Sequence, residues 1–163
     1  MGTRSLTKVI QTYETSIANE DNNNEVYKER KPITCMYRQY DGYMSGHGVE
    51  LAEWLSEYTL VNGIPADKSE PMFNGMDCLA AQMFVHFKAS GCKEDGTPVS
   101  VVGNFYCMHP DAEHCGEEFL YEISEGENKQ IFITVYEKYD QSRMIFHGTP
   151  EELLTKIEKK EYA

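Results

Sequence analysis

Apolar and polar positions follow two rhythms along the chain. Residues 3–12 (TRSLTKVIQT) are rich in β-branched side chains and predict a strand, as do residues 33–40 (ITCMYRQY). Between them, residues 13–31 carry NEDNNNE at their centre. This polar tract has turn chemistry and little to bury, which predicts a mobile loop joining the two strands. Gly42, Gly46 and Gly48 then punctuate the chain before a helical pattern over 47–57, with Leu51, Ala52 and Leu55 on one face and Trp54 beside them. A second helix starts at Asn74, an N-cap residue type, with Asp77 in its first turn. Met76, Leu79, Ala80, Met83, Phe84 and Phe87 follow the spacing of one buried helical face.

After residue 90 the period shortens. GCKEDGTP (91–98) reads as a loop and VVGNFYCM (101–108) as a strand. Residues 118–124, 129–137 and 143–147 predict an antiparallel meander, with turns at 126–128 and 140–142. In its middle strand Ile131, Ile133 and Val135 face one way while Phe132, Thr134 and Tyr136 face the other, which predicts a strand covered on both faces. Thr149-Pro150-Glu151-Glu152 has capping-box spacing with Pro at the first helical position, followed by Leu153, Leu154 and Ile157. The whole predicts a single α+β domain over 1–163: a mainly antiparallel sheet packed with two principal helices and a short C-terminal helix.

Composition narrows the function classes. Apolar residues make up 40% of the 163 and charged residues 26%, enough for a core without metal or disulfide staples. No run approaches the roughly 18 apolar residues that span a bilayer, and the first twenty residues lack the apolar centre of a signal peptide. Leu6 stands where a myristoylation signal needs Ser or Thr. A cytoplasmic location is expected. Twenty-seven acids against fifteen bases give a net charge of −12, which repels duplex nucleic acid and anionic membranes alike. The five cysteines form no CxxC pair and read as reduced thiols, Cys35 and Cys78 as buried small hydrophobes.

The densest chemistry lies in Met36–Gly48 (MYRQYDGYMSGHG), which leaves a strand, crosses a glycine-rich turn and enters a helix. Free backbone N–H groups and the positive end of a helix suit an anion there. Arg38 would grip a phosphate or carboxylate, and Tyr37, Tyr40 and Tyr43 would stack on a ring. Asp41 would accept hydrogen bonds and His47 would donate to the anion. Read instead as structure, Asp41-Gly42 and Ser45-Gly46 are turn dipeptides and Arg38 pairs with a carboxylate. The spacing is neither a Walker loop nor a dinucleotide fingerprint. Asn62-Gly63 and Asn74-Gly75 flank a loop over 62–75, and the helix start at Asn74 is a second place for a polar ligand edge. His86 reads as a packed core residue. Cys107, His109, His114 and Cys115 bring four soft ligands together, but their spacing is not that of a zinc knuckle, so no metal and no cofactor are expected. From 94 to 128 there are nine acids and no Lys or Arg: either a solvated face or a contact for a basic protein.

Gly2-Thr3-Arg4-Ser5-Leu6-Thr7, MYRQYDGYMSGHG with Glu50-Leu51-Ala52-Glu53, Val61-Asn62-Gly63-Ile64, and NGMDCLAAQ (74–82) with His86-Phe87-Lys88 form an ordered set. The set resembles a widespread family of small uncharacterised proteins of bacteriophages and bacteria. It covers about half the chain, mostly before residue 90. Met44 stands where the pattern has Pro and Asp77 where it has Gly, while 13–31 and 90–102 look like local expansions. The resemblance implies no activity, but it weights the two long blocks together as walls of one cleft. Arg4 and Arg38 would supply charge there, the tyrosines stacking, and Gln39, Ser45, Asn74 and Gln82 directional hydrogen bonds. The leading expectation is thus a non-enzymatic binding protein for a small anionic or nucleotide-like ligand, in a phage setting one that sequesters a host defence signal in the host cytoplasm. The alternatives are an acidic inhibitor that docks on a basic host protein through residues 94–128, with Glu117 and Glu118 as the charges whose reversal would weaken it, and a small hydrolase using His47 or Cys35.

Overall fold

A computed structural model describes residues 2–18, 20–21, 24–63 and 70–160. Among the described residues ten strands and three α-helices follow in chain order: β1 Ser5–Ala18, β2 Asn24–Arg38, a π-helical turn Met44–Gly48, α1 Val49–Ser56, β3 Thr59–Val61, β4 Met72–Asn74, α2 Gly75–Lys88, β5 Gly91–Cys92, β6 Pro98–Val99, β7 Phe105–Met108, β8 Phe119–Glu125, β9 Ile131–Glu137, β10 Arg143–Gly148 and α3 Pro150–Glu158. Six strands form one sheet in the order β10-β9-β8-β1-β2-β7. Every neighbouring pair is antiparallel except β1 with β8, which run parallel from Ser5–Phe119 to Val9–Ile123. The fold is α+β with a mainly antiparallel sheet, two principal helices and a short third.

The helices all lie over one face. Leu51, Leu55, Leu79 and Met83 are buried there with Val9, Tyr121, Ile133 and Val135 from the strands. Trp54 of α1 is the junction of the layer, its ring 5.3 Å from Phe73 and 6.0 Å from Phe87. The helical face predicted for α2 is buried as spaced, with Phe84 half-buried at its margin. The entry to α1 departs from expectation, because residues 44–48 wind as a π turn and the α-helix begins at Val49.

Four expectations need correction. The predicted loop 13–31 is strand: β1 continues to Ala18 and β2 starts at Asn24, paired from Gln11–Lys31 to Ala18–Asn24. Residues 19, 22 and 23 lie outside the described residues, as do 64–69 of the predicted loop 62–75. Nothing in 12–18 or 24–31 is buried. Backbone pairing and exposed side chains, with no buried residue, hold this arm, so its polar composition concealed it. Within 101–108 only Phe105–Met108 is strand, because 101–104 bend before pairing with β2 begins. His86 is exposed rather than packed in the core, with its ring stacked on Trp54 at 5.1 Å. Finally, the second face of β9 is not closed over, because Phe132 and Tyr136 are half-buried and line an open groove.

The end of the chain follows its sequence signal. Thr149 Oγ1 accepts from the Glu152 N–H at 3.2 Å, while Glu152 Oε1 accepts from the Thr149 N–H at 3.4 Å, closing the capping box ahead of α3. Leu153 and Ile157 then seat on the core. Replacing Thr149 by Ala is expected to lower stability by about 1 kcal/mol, read as a fall in the urea midpoint at unchanged slope.

Candidate functional site

Arg38 is the last residue of β2 and its side chain is 5% exposed. A guanidinium cannot shed its proton, so burial obliges the chain to provide acceptors. Nε donates to the Tyr40 carbonyl at 2.5 Å. Nη1 donates to His47 Nδ1 at 3.1 Å and to Glu50 Oε2, and Nη2 reaches Glu50 Oε1 at 3.5 Å. Its carbon lies 5.1 Å from the centre of the Phe105 ring. The carboxylate pairing that the sequence offered as the structural alternative is present, and the donors meant for an anion are taken up inside the protein.

His47 is fully buried by the same arrangement. Arg38 has no acceptor, so Nδ1 must carry the lone pair and Nε2 the proton, which it donates to Thr7 Oγ1 at 2.7 Å. Burial, and secondarily the Arg38 charge, push the imidazole from 6.5 down to about 3. Its ring meets Tyr121 edge-on at 4.9 Å and Phe87 at 5.2 Å. A neutral, enclosed imidazole neither donates to an outside anion nor acts as a base. Tyr121, whose burial raises its own pKa, donates to the Gly42 carbonyl at 2.8 Å. The turn has few amides left to offer: the N–H groups of Gly42, Gly46, His47 and Gly48 all reach backbone carbonyls. At Gly42 a Cβ would lie 2.8 Å from that of Ser5, so glycine here serves close approach of two backbone segments.

The other predicted residues are partly drawn into this cluster. Tyr37 donates to Gln39 Oε1 at 2.6 Å, and the Tyr40 N–H donates to Asn104 Oδ1 at 3.0 Å. Tyr43 donates to Asp41 at 3.1 Å, which raises its pKa, and both rings of Tyr40 and Tyr43 are exposed. Ser45 is exposed. Arg4 sits behind the turn, its guanidinium against Gly116 and its Nε buried without a partner. Asn74 and Gln82 lie elsewhere. Asn74 occupies the cap position of α2, yet its Oδ1 accepts from the Gly63 N–H at 2.7 Å rather than from the helix. Gln82 donates to the Met72 carbonyl at 3.3 Å. The MYRQYDGYMSGHG block thus meets the His86-Phe87-Lys88 stretch as core, through His47 and Phe87, while Asn74 and Gln82 bond to Gly63 and Met72.

The alternative chemistries fare similarly. Cys35 is fully buried, and burial pushes its thiol up to about 12 against the opposing charge of Lys8, so it offers no thiolate. Cys78 is only half-buried. Glu117 is buried against Lys138 at 3.6 Å and accepts from the Cys115 N–H, while Glu118 accepts from the Arg4 N–H at 3.2 Å. Neither residue chosen for acidic docking is a free surface charge.

The open face of the sheet holds what the sequence reading missed. A concave groove of about 900 Å³ runs between the arm and the strands β8, β9 and β10. Thr12, Glu14, Lys28 and Arg30 form one wall, the stretch Ser124–Glu127 closes one end with the carboxylates of Glu125 and Glu127, and Phe132, Thr134, Tyr136, Met144 and His147 line the other side, so that two cations face three carboxylates around the groove. Phe132 and His147 stack at 5.3 Å and 12°. The pair is fixed from both sides, because His147 Nδ1 shares a 2.8 Å hydrogen bond with Thr134 Oγ1 and a Cβ at Gly126 would overlap the Phe132 ring. Opposite, Lys28 is loosely paired with Glu14 at 3.7 Å, and Arg30 forms no ion pair among the described residues. The charge of Arg30 does reach Tyr136, whose pKa burial and Glu122 nevertheless raise. The alternation of Phe132, Thr134 and Tyr136 is the available signal, but the arm that makes it a groove buries no residue and so leaves no matching pattern in the sequence.

Two variants test the buried centre. Arg38→Ala strands His47 Nδ1 and the Tyr40 carbonyl, and is expected to cost about 3 kcal/mol or more by urea unfolding. His47 takes a proton in the unfolded chain below about 6.5, but in the folded one only near 3. Its contribution is complete above 6.5 and is lost as the pH falls, at up to about 1.4 kcal/mol per unit. His47→Gln, whose amide can keep both partners, is expected to flatten the fall in urea midpoint between these values. An equal slope in both proteins would contradict the neutral imidazole.

No protein-family model, curated protein or solved structure matches the chain, so the functional reading rests on this geometry.

Proposed function

We propose that the protein is a non-enzymatic binding protein for a small anionic ligand that carries a planar ring, of nucleotide type, held in the groove between the arm and β8–β10. The observation that supports it most is the pairing of a fixed aromatic platform, Phe132 on His147, with two cations, Lys28 and Arg30, on the facing wall. A planar ring gains from stacking on such a platform, and an anionic group gains charge-assisted hydrogen bonds from a guanidinium that forms no ion pair among the described residues. Thr12, Ser124 and Thr134 add hydroxyls between the two ends. A net charge of −12 makes local cations the condition for holding any anion at all. Binding without turnover is the action of a sequestering protein, and a nucleotide-type signal is the ligand class that such a groove suits.

The test is calorimetric titration with adenosine 5′-monophosphate, adenosine and ribose 5-phosphate. The intact nucleotide is expected to bind more tightly than either half. Phe132→Ala and Arg30→Ala should each weaken it roughly 10- to 100-fold, from the usual worth of a stacked base and of a charged hydrogen bond. Arg30 is exposed, so its variant should melt like the parent protein. Affinity untouched by either substitution, or no binding by any nucleotide offered, would remove the proposal.

A further inference from the structure

The arm has a second consequence that does not rest on the groove. Past Val9, β1 has left β8 behind, and β2 meets β7 only at 35–38, so the arm is a two-stranded ribbon with both outer edges unpaired among the described residues. A ribbon of that kind is marginal in water by itself. It also exposes four large hydrophobic side chains: Tyr13 at 42%, Ile17 at 53%, Val26 at 61% and Tyr27 at 50%. Tyr13, Thr15 and Ile17 share one side of the ribbon with Tyr27, through the pairs Tyr13–Glu29, Thr15–Tyr27 and Ile17–Glu25.

The two edges differ in a way that selects one of them. The β2 edge carries Glu25, Lys28, Glu29, Arg30 and Lys31 and then Pro32, the charges and proline that discourage further pairing. The β1 edge, residues 11–18 (QTYETSIA), carries a single charge, Glu14, among β-branched and aromatic residues. The whole arm is also electrically unlike the rest of the chain. Residues 11–18 and 24–32 hold three acids (Glu14, Glu25, Glu29) and three bases (Lys28, Arg30, Lys31), and with Glu20 and Asp21 between them the arm carries only −2 of the protein's net −12. Two copies can approach here without the repulsion that the rest of the surface imposes.

We infer that the β1 edge pairs with the same edge of a second copy, antiparallel and centred on Thr15, in a twofold dimer with the strand order β2-β1-β1-β2. This register sets Tyr13 opposite Ile17 twice, Glu14 opposite Ser16 and Thr12 opposite Ala18, so that no charge opposes a like charge. The pairing turns an isolated ribbon into four strands and covers Tyr13 and Ile17.

Sedimentation velocity of the full chain over a micromolar concentration series tests this. The parent protein is expected to show a concentration-dependent dimer. Ile17→Lys changes both copies of the Tyr13–Ile17 pair and should raise the dissociation constant roughly tenfold or more. Val26→Lys places its charge on the other strand and should leave the dimer intact. Thr15→Cys, oxidised beside the parent protein as control for the native cysteines, should add a disulfide-linked dimer. A parent protein that is monomeric throughout would overturn the inference. So would a dimer that ignores Ile17→Lys, or a Thr15→Cys chain that gains no cross-link.

Discussion

One buried cation, Arg38, organises this molecule. Arg38 cannot be neutralised by burial as a lysine or carboxylate can, so everything around it has to be an acceptor, a ring face or a counter-charge. Glu50 closes the charge from the half-exposed side, Phe105 presents its face, and His47 is forced into the one tautomer that can accept from it. That tautomer in turn commits the other ring nitrogen to Thr7 in β1. One guanidinium thus couples β1, β2, β7, the π turn and α1. Through the rings around His47 it also couples β8 and α2. The arrangement is asymmetric in its energetics. Making it contributes little beyond the cost of desolvating the charge, but deleting one member leaves unsatisfied polar groups in the core.

How much of this was legible in the sequence depends on what held each element together. α2, the β8–β10 meander and the box before α3 were readable because burial or capping writes a period or a spacing into the residues. The arm was not, because nothing in 12–18 or 24–31 is buried and a strand held without burial leaves no apolar alternation. The MYRQYDGY block was legible as an important cluster and misread as to direction. Met36 and Arg38 are both buried, as alternate residues of a strand are when they share the inner face, and the polarity of Arg38 argued for the outside. A charged residue two positions from a core methionine is as consistent with a buried ion pair as with a ligand contact. Only its partners decide between them, and Glu50 and His47 lie nine or more residues away.

The two faces of the sheet divide the labour. The helical face is filled by Trp54, Phe73, Phe87 and the aliphatic residues around them, and a core of that density resists change. The other face keeps the half-buried rings of Phe132 and Tyr136 on β9, with the exposed His147 of β10 stacked on Phe132, set on a floor whose underside is that same core. A binding surface on strands so supported holds its geometry better than one on loops. The glycine-rich turn at 42–48 offers the opposite combination. It has many polar groups, but the amides of Gly42, Gly46, His47 and Gly48 are already bound to carbonyls, and Arg38 is bound to its own neighbours.

The arm links these two themes, because its residues serve the groove on one side of the ribbon and lie free on the other. Lys28 and Arg30 are in register with Glu14 and Thr12, and all four line the groove. Tyr13, Thr15 and Ile17 alternate with them and must point away. An exposed two-stranded ribbon is a poor wall for a binding site, since fluctuation would move its cations relative to the fixed Phe132–His147 platform. Anything that pairs its free edge stiffens the wall without touching the ligand. A second copy on β1 therefore does more than bury Tyr13 and Ile17: it holds Arg30 at a constant distance from the ring it has to cooperate with. On the proposed binding function and the inferred dimer, affinity and self-association would be coupled through one strand, with β1 as the element whose order both equilibria favour.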